Sequence, residues 1–540
     1  MKRLLALALA TLMVLSLVAC GGGGTTSGGA TSGGTTSGGT TEPTKEYKEE
    51  VVVGISVAMT QWDPYRDTTN LFIWMYNMVY DSLLWLDMDT AEIQPRLATS
   101  WEYSENNTVL TMKLREDVYF HNGELFDSDD VVFSFDRMHQ AVAKGISSSV
   151  VNMAKDVEVE AVDQFTVKFK FTTPNPDYVF TLAQPYMCML NRDAFKNSAD
   201  PIEWPEVGVA GFVPGVNDGY TVGTGQYMWS EHVDNDHDTL VKREDGKYWG
   251  EDNPTKKFTF RLIAETAARL LALETGEIDY CYSVSSNDID VVKDNKDLTL
   301  LSGDRTGVHY LAWNTSKDGV WQDANFRYAF TKAINRDNIV LAMYAGHAVP
   351  ADSMYNRLQF GYVSCADTHG YDPEGAKALL AKSSYKGETI TIMTSSSYKN
   401  AVLAMVEDLK AVGITAVLQE ENNSNVSPLL KADGQDCHVY NINLNPNGDD
   451  MRRFLNTGFG KHGIDASPNK DKIYGLLDAA MATDDRAAAY AEVQKALCED
   501  CFYVPLVTPK AQDGHVATME GAYWRASTVQ DLRNVCVVVK

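Results

Sequence analysis

The stretch KLREDVYFHNGELFDSDDVVFSF, Lys113 to Phe135, places His121 beside Asn122 and Gly123, among four aspartates and two glutamates. Its residue types suit either an acid–base site or a local architecture. The pattern favours architecture. Thr108 to Arg115 alternates, with Leu110, Met112 and Leu114 on one face and Thr111, Lys113 and Arg115 on the other, as in a half-buried strand. Asn-Gly suits a turn. Asp127 or Ser128 can cap a helix running to Lys144, with Asp129 and Asp130 in its first turn and Gly145 ending it. His121 is then expected to pack or hydrogen-bond at the turn.

Working outward, Thr166 to Phe171 (TVKFKF) alternates in the same way, so an antiparallel sheet is expected here. VVVGISVAM, Val51 to Met59, has the composition of a buried strand, and LFIWMYNMVYDSLLWL, Leu71 to Leu86, suits a mostly buried helix. GQYMWSEHVDNDHDTLVKRED reads as two strands around a polar turn; FTFRLI is a strand and ETAARLLALETGEID a helix stopped by Gly276. In the later half, helices are capped by Asp323 and begin at Asp337 and Asp372-Pro373. Another runs from Asn400 to Val412 with Gly413 after it. Strand–helix–strand alternation from about 385 to 445 implies an α/β unit. Residues 473–500 read as mostly helical.

The N-terminal residues set the location. Lys2 and Arg3 precede an uncharged run, Leu4 to Ala19, which has the shape of a secretory signal and is shorter than the roughly 20 residues of a spanning helix. It ends in Leu17-Val18-Ala19-Cys20, which resembles a bacterial lipobox and implies lipidation at Cys20. The Gly/Ser/Thr-rich residues 21–44 can bury nothing, and their reach as a coil is roughly 25–30 Å. The expected arrangement is a signal at 1–19, a lipidated linker at 20–50 and a globular body tethered outside the cytoplasmic membrane.

The formal charge is −26, and removing residues 1–19 takes away two cations and no acids, leaving −28. Such a charge argues against nucleic acid and against electrostatic docking on anionic lipid. Seven cysteines follow Cys20, an odd number, so at least one lacks a partner within a monomer. Cys498-Glu-Asp-Cys501 has redox-motif spacing but no second ligand pair, and reads as small buried residues or a local disulfide. G-x-S-x-G and H-E-x-x-H are both missing, and scattered Asp and Glu show no glycosidase spacing. No catalytic residue, cofactor or metal is expected.

At this point the chain resembles the bacterial family 5 extracellular solute-binding proteins, which feed peptide and nickel ABC importers. The opening stretch carries the family's strand, Phe-His-x-Gly turn and Asp-Val-x-Phe-Ser helix. Further blocks match in order: IQPRLATSWEYSENNTVLTMKLR; VGTGQYMW with KYWGEDNP; DANFRYAFTKAINRDNIV; YDPEGAKALLAKSSY with LKAVGI; and EVQKALCEDCFYVPL. The resemblance implies an α/β, two-lobed periplasmic-binding-protein-like fold (type II, large peptide-binding class) with an extra domain in the first lobe. Lobe I would comprise 51–95, 221–305 and 506–540, the inserted domain 96–220, and lobe II 306–505. The crossings near 305 and 505 would form a hinge.

The same resemblance implies a ligand cleft between the loop after the first strand and a strand of lobe II. That assigns Tyr65, Thr68, Thr69 and Asn70 on one side and Asn443, Asn445 and Asn447 on the other. Peptide binders of the family place an aspartate on the second side, where Pro446 stands here; Asp449 or Asp450 could take its place only if the loop shifts. A buried ammonium with no partner is costly, so oligosaccharide, another solute or a tethered sensor remain alternatives to peptide transport. The ten histidines are scattered and none falls in the mapped cleft segments, against nickel. EHVDNDHD, Glu231 to Asp238, has metal-ligand residue types but reads as a solvated hairpin turn; Trp62, Trp74 and Trp321 could stack on sugars but read as core. The expected partners are a peptide or other small solute and the membrane permease with its ATPases, with the body itself a monomer.

Overall fold

The structure, a computed structural model, describes residues 45–539 except 60–61, 67–69, 88–91, 147, 196–220, 316–317, 360, 423–434, 444–449, 457–462, 482, 484 and 524–530. The signal and linker, Cys20 included, lie outside the described residues. No helix among the described residues is long and apolar enough to cross a membrane.

The opening stretch folds as its pattern dictates. Val109–Leu114 buries Leu110, Met112 and Leu114, and pairs antiparallel with Ala98–Ser104 and Thr166–Phe171 in a four-stranded sheet completed by Val157–Asp163. Asp127 caps the helix Ser128–Ala143 by accepting from the Asp129 amide, and the Asp130 carboxylate accepts from the Asp127 amide at 3.0 Å. Gly123 takes φ +87°, the left-handed region that glycine enters without penalty. His121 spans the turn and a distant segment: the Gly223 amide donates to Nδ1 at 3.1 Å, so Nε2–H donates to the Gly225 carbonyl at 2.9 Å. Burial pushes its pKa down to about 4, and the neutral ring works as a strut.

Among the described residues the largest sheet has twelve strands. Its order runs Ala416–Glu421, Ile390–Ser395, Cys437–Asn443, Gly307–Trp313, Tyr503–Val516, Tyr280–Cys281, Glu50–Ile55, Lys257–Leu262, His237–Lys242 and Tyr227–Val233. Leu298–Asp304 and Ala348–Pro350 also pair with Tyr503–Val516. The predicted parallel unit is present, with Ile390–Ser395 flanked in parallel by Ala416–Glu421 and Cys437–Asn443. The helix Lys399–Val412 connects the first pair, ending at Gly413 with φ +95°.

Tyr503–Val516 is the continuous element between two hydrophobic cores. Its first residues, Tyr503, Val504, Leu506 and Val507, belong to the core built around Gly307–Trp313. Its end pairs with Leu298–Asp304, and Val516 packs against the core that contains Val51 and Val53. The antiparallel return path, Leu298–Asp304 followed by Gly307–Trp313, is interrupted at Arg305 and Thr306. Lys510 faces Asp304 and Val507 faces His309 in register.

Two expectations are corrected. The apolar run Leu71 to Leu86 is not one helix: Asn70–Val79 is helical, and Leu84–Leu86 is a strand paired with Ile93–Pro95. The helix stops because the Val79 carbonyl accepts from Gly225 at 2.9 Å. Just beyond it, Asp81 pairs with Arg96 and accepts from Thr224 at 2.8 Å and Trp249 at 3.1 Å. Gly223 is required at this join, since a Cβ there would lie 1.9 Å from the Val79 carbonyl oxygen. Nor does Cys498 pair locally. It is bonded to Cys365, 133 residues away, and Cys501 is a free buried thiol.

Candidate functional site

Ligands of open α/β sheets sit outside the carboxyl ends of parallel strands. Among the described residues two such ends are present, one beside each of these cores. Glu50–Ile55 runs parallel to Lys257–Leu262 and Tyr280–Cys281, and the loop bearing Tyr65 follows it. In the other core Ser395, Glu421 and Asn443 terminate three parallel strands at a common edge.

The predicted residues distribute unevenly over these ends. Tyr65 is fully buried. Its hydroxyl donates to the Cys188 carbonyl at 2.7 Å and its carbonyl accepts from Ser148 at 2.5 Å. Asp63, two residues earlier, accepts from the Tyr65 amide at 2.9 Å and pairs with buried Arg137 at 2.6 Å. Burial raises the Asp63 carboxyl to about 6, against the pull of the Arg137 cation. The Tyr65 side chain therefore fixes the loop from within. Asn70 is the first residue of the helix Asn70–Val79, and Asn443 the last of its strand, opposite Gly307. Thr68, Thr69, Asn445, Asn447, Pro446 and Asp449 lie outside the described residues; Asp450 opens the helix Asp450–Asn456.

A cluster that the sequence did not disclose lies at the edge of the second core. His309 faces Asn441 in register. Its ring meets Tyr398 edge-on at 4.9 Å and lies 3.4 Å from the Tyr344 hydroxyl. Tyr398 donates to Asn441 Oδ1 at 2.8 Å, and Tyr440 tilts against it at 6.0 Å. Burial, and then the Arg305 cation, push His309 down to about 4. Burial pushes Tyr398 up to about 12 and raises Tyr344 and Tyr282. The Arg305 cation, at the strand interruption, also acts on Tyr282, whose ring packs on Trp74 at 5.2 Å. Neutral hydroxyls, aromatic faces and one cation suit recognition by hydrogen bonding and stacking. His309 was hidden by its setting in GVHYLAW, where every residue is buried.

Beside Arg305 lies a small cleft of about 80 Å³, well below the roughly 300–1,000 Å³ of small-molecule sites. Asp304, Ala351, Tyr355, Arg357 and Thr508 line it, with Asp304 pairing with Arg357 and, at 3.6 Å, with Lys510. The competing readings resolve toward structure. In the EHVDNDHD hairpin, His232 pairs with Asp238 at 2.7 Å and Asp234 at 2.9 Å, and His237 with Asp236 at 2.8 Å. The acids raise both imidazole pKa values against the opposing pull of burial. Trp62, Trp74 and Trp321 are core side chains, 1%, 0% and 5% exposed.

Comparison with known proteins agrees with this topology. Residues 92–466 match the bacterial extracellular solute-binding proteins, family 5 Middle, and this is more than half of the chain. The chain belongs to that family. Within it, the chain is 28% identical over 447 residues to the dipeptide-binding protein of Escherichia coli K12, covering 77% of this chain and 81% of that one. In fold, this family 5 protein is similar to NikA of Brucella suis in complex with Fe(III)-EDTA. The TM-score is 0.77 at 21% identity, over 90% of this chain and 99% of the other. It is also similar to a dipeptide-binding protein of Pseudoalteromonas in complex with Met-Leu, with a TM-score of 0.72 at 21% identity over 90% and 99%. As a family 5 member it is an extracellular or periplasmic solute-binding protein.

Proposed function

We propose that this protein is the substrate-binding component of an ABC importer, held outside the cytoplasmic membrane by lipid on Cys20, and that its solute is a peptide. The observation that carries the reading is the placement of two parallel-strand carboxyl ends, one per core, on either side of a crossing made by Tyr503–Val516 and the strands around Arg305. Lobe I comprises 51–95, 221–305 and 506–540, with 96–220 inserted; lobe II comprises 306–505. Ligand contacts both lobes only when they close, so binding shifts the population to a closed form that the permease recognises. The relatives named for dipeptides support the choice of solute.

In this assignment Thr68, Thr69, Asn70, Asn443, Asn445 and Asn447 contact the ligand, and Tyr65 acts by holding its loop. The chain binds and releases without making or breaking bonds, as a monomer. Native mass spectrometry of protein purified without refolding tests the solute directly: peptide masses are expected, whereas a hexose ladder would replace peptide with oligosaccharide. With the retained solute as ligand, Asn443→Ala should weaken binding about 10-fold, the loss of one or two hydrogen bonds, with the apo melting temperature unchanged. Unaltered affinity would remove the Asn443 strand from the site.

A further inference from the structure

Cys365 and Cys498 are joined by a disulfide beside a histidine that the binding reading does not use. Cys365 precedes the short helix Ala366–His369, and Cys498 lies in the helix Arg486–Asp500. The two sulfurs and a ring nitrogen of His369 lie within 4.8 Å of one another, and all three residues are buried. His369 is 1% exposed. Its Nδ1–H donates to the Asp352 carbonyl at 2.8 Å, which leaves Nε2 as the lone-pair nitrogen. That Nε2 is buried with no hydrogen-bond partner among the described residues.

For a histidine kept only for packing, a buried acceptor left unsatisfied is an uncompensated desolvation cost. The arrangement instead matches the way metal-ligating histidines are prepared, with the far nitrogen bonded to a backbone carbonyl that fixes the tautomer and aims the other. Arg336 also donates to the His369 carbonyl, which anchors the backbone of the short helix.

We propose that, once the Cys365–Cys498 disulfide is reduced, Cys365, Cys498 and His369 Nε2 form a binding site for one thiophilic cation, Zn²⁺ or Cu⁺. The reductant is a thiol or a phosphine. Two electrons and two protons open the S–S bond to two thiols: two reductant thiols supply both and become a disulfide, or a phosphine supplies the electrons and becomes its oxide, with water giving the oxygen and the two protons. The cation then displaces the two thiol protons to solvent, and His369 contributes its lone pair without losing a proton. Metal–sulfur distances of about 2.3 Å and metal–nitrogen distances of about 2.0 Å set donor atoms roughly 3.5–4 Å apart, within reach of side-chain rotation once the disulfide opens. Soft thiolates with one imidazole select these cations over Ca²⁺ or Mg²⁺. Bound metal would replace the disulfide as the tether between the helix Arg486–Asp500 and the segment from Ala351 to Cys365, which carries Ala351, Tyr355 and Arg357 of the cleft.

The test uses the full chain, oxidised or reduced with a phosphine under argon, desalted, and titrated with Co²⁺ as a stand-in for Zn²⁺, and separately with Cu⁺ against a chromophoric chelator. The reduced chain is expected to take up one equivalent, with thiolate-to-cobalt charge-transfer absorption that Zn²⁺ abolishes, and the oxidised chain none. The five other described cysteines are free in both forms and so are controlled for. His369→Gln, whose amide can still donate to the Asp352 carbonyl, should lose about 10-fold or more in affinity. Tighter retention of Cu⁺ or of Zn²⁺ names the cation. Equal uptake by both forms, no uptake by the reduced form, or unaltered affinity in His369→Gln overturns the site.

Discussion

The two parallel-strand ends that flank the crossing are built in opposite ways. At the first, Trp62, Asp63, Pro64 and Tyr65 are all buried, and a buried ion pair and two short hydrogen bonds to distant segments hold the loop. At the second, Tyr344, Tyr398, Tyr440 and Asn441 are half-buried, with Tyr398 donating to Asn441 and the Tyr344 hydroxyl meeting His309. The first is a preset wall, whose ordering entropy is spent on folding; the second offers hydroxyls that can exchange a neighbour for a ligand. A binding protein with one rigid and one adaptable wall can keep its ligand orientation while accepting varied side chains.

Breaking the rigid wall should have the largest effect. Arg137→Met leaves Asp63 buried without its cation, and a loss of about 3–5 kcal/mol is expected in denaturant unfolding, along with ligand binding. A loss below about 1 kcal/mol would show that the loop is not held by this pair.

Acid should probe the other wall. The folded state depresses the His309 pKa from 6.5 to about 4, so below pH 6.5 the unfolded chain binds the proton more readily. Its contribution, on the order of 2–3 kcal/mol, is complete above pH 6.5 and is lost as the pH falls toward 4. The melting-temperature difference between the native chain and His309→Gln should therefore shrink between pH 7 and pH 5. A constant difference would show that His309 is reachable by water and outside the buried edge.

The smallest effects come as a matched pair. Tyr65→Phe removes the bond to the Cys188 carbonyl and should cost about 1 kcal/mol of stability with little specific effect on binding. Tyr398→Phe should change stability by less than about 0.5 kcal/mol and lower ligand affinity several-fold. If both variants behave alike in calorimetry, the contrast between the walls fails.

What the sequence disclosed was what neighbours in the chain decide. The alternation at Leu110, Met112 and Leu114, the Asp127 cap, the Gly123 turn and the strand–helix–strand unit after residue 385 all rest on contacts within a few residues. The misreadings fall where distant segments intervene. Leu84–Leu86 is apolar enough to extend a helix, but Gly225 takes the carbonyl that would have propagated it. Cys498 has a plausible partner three residues on and bonds instead to one 133 residues back. Among the candidate ligand residues, only Tyr65, Asn70 and Asn443 fall within the described residues, and the His309 cluster carried no signal because its strand is buried throughout.

The strand Tyr503–Val516 also bears on when the chain can fold. It pairs with Gly307–Trp313 in one core and with Tyr280–Cys281 and Leu298–Asp304 on the other side, where the core that contains Val51 and Val53 is closed further by Met519, Leu532, Val535 and Val537. A chain emerging N-terminus first lacks the central strand of both cores until its last few dozen residues appear. Early segments meet only partial sheets, and the pairings that complete them span hundreds of residues, the costly, late-forming kind of contact. Local units such as the four-stranded sheet within 98–171 need no late residue, whereas the twelve-stranded sheet is completed only when this strand is in place.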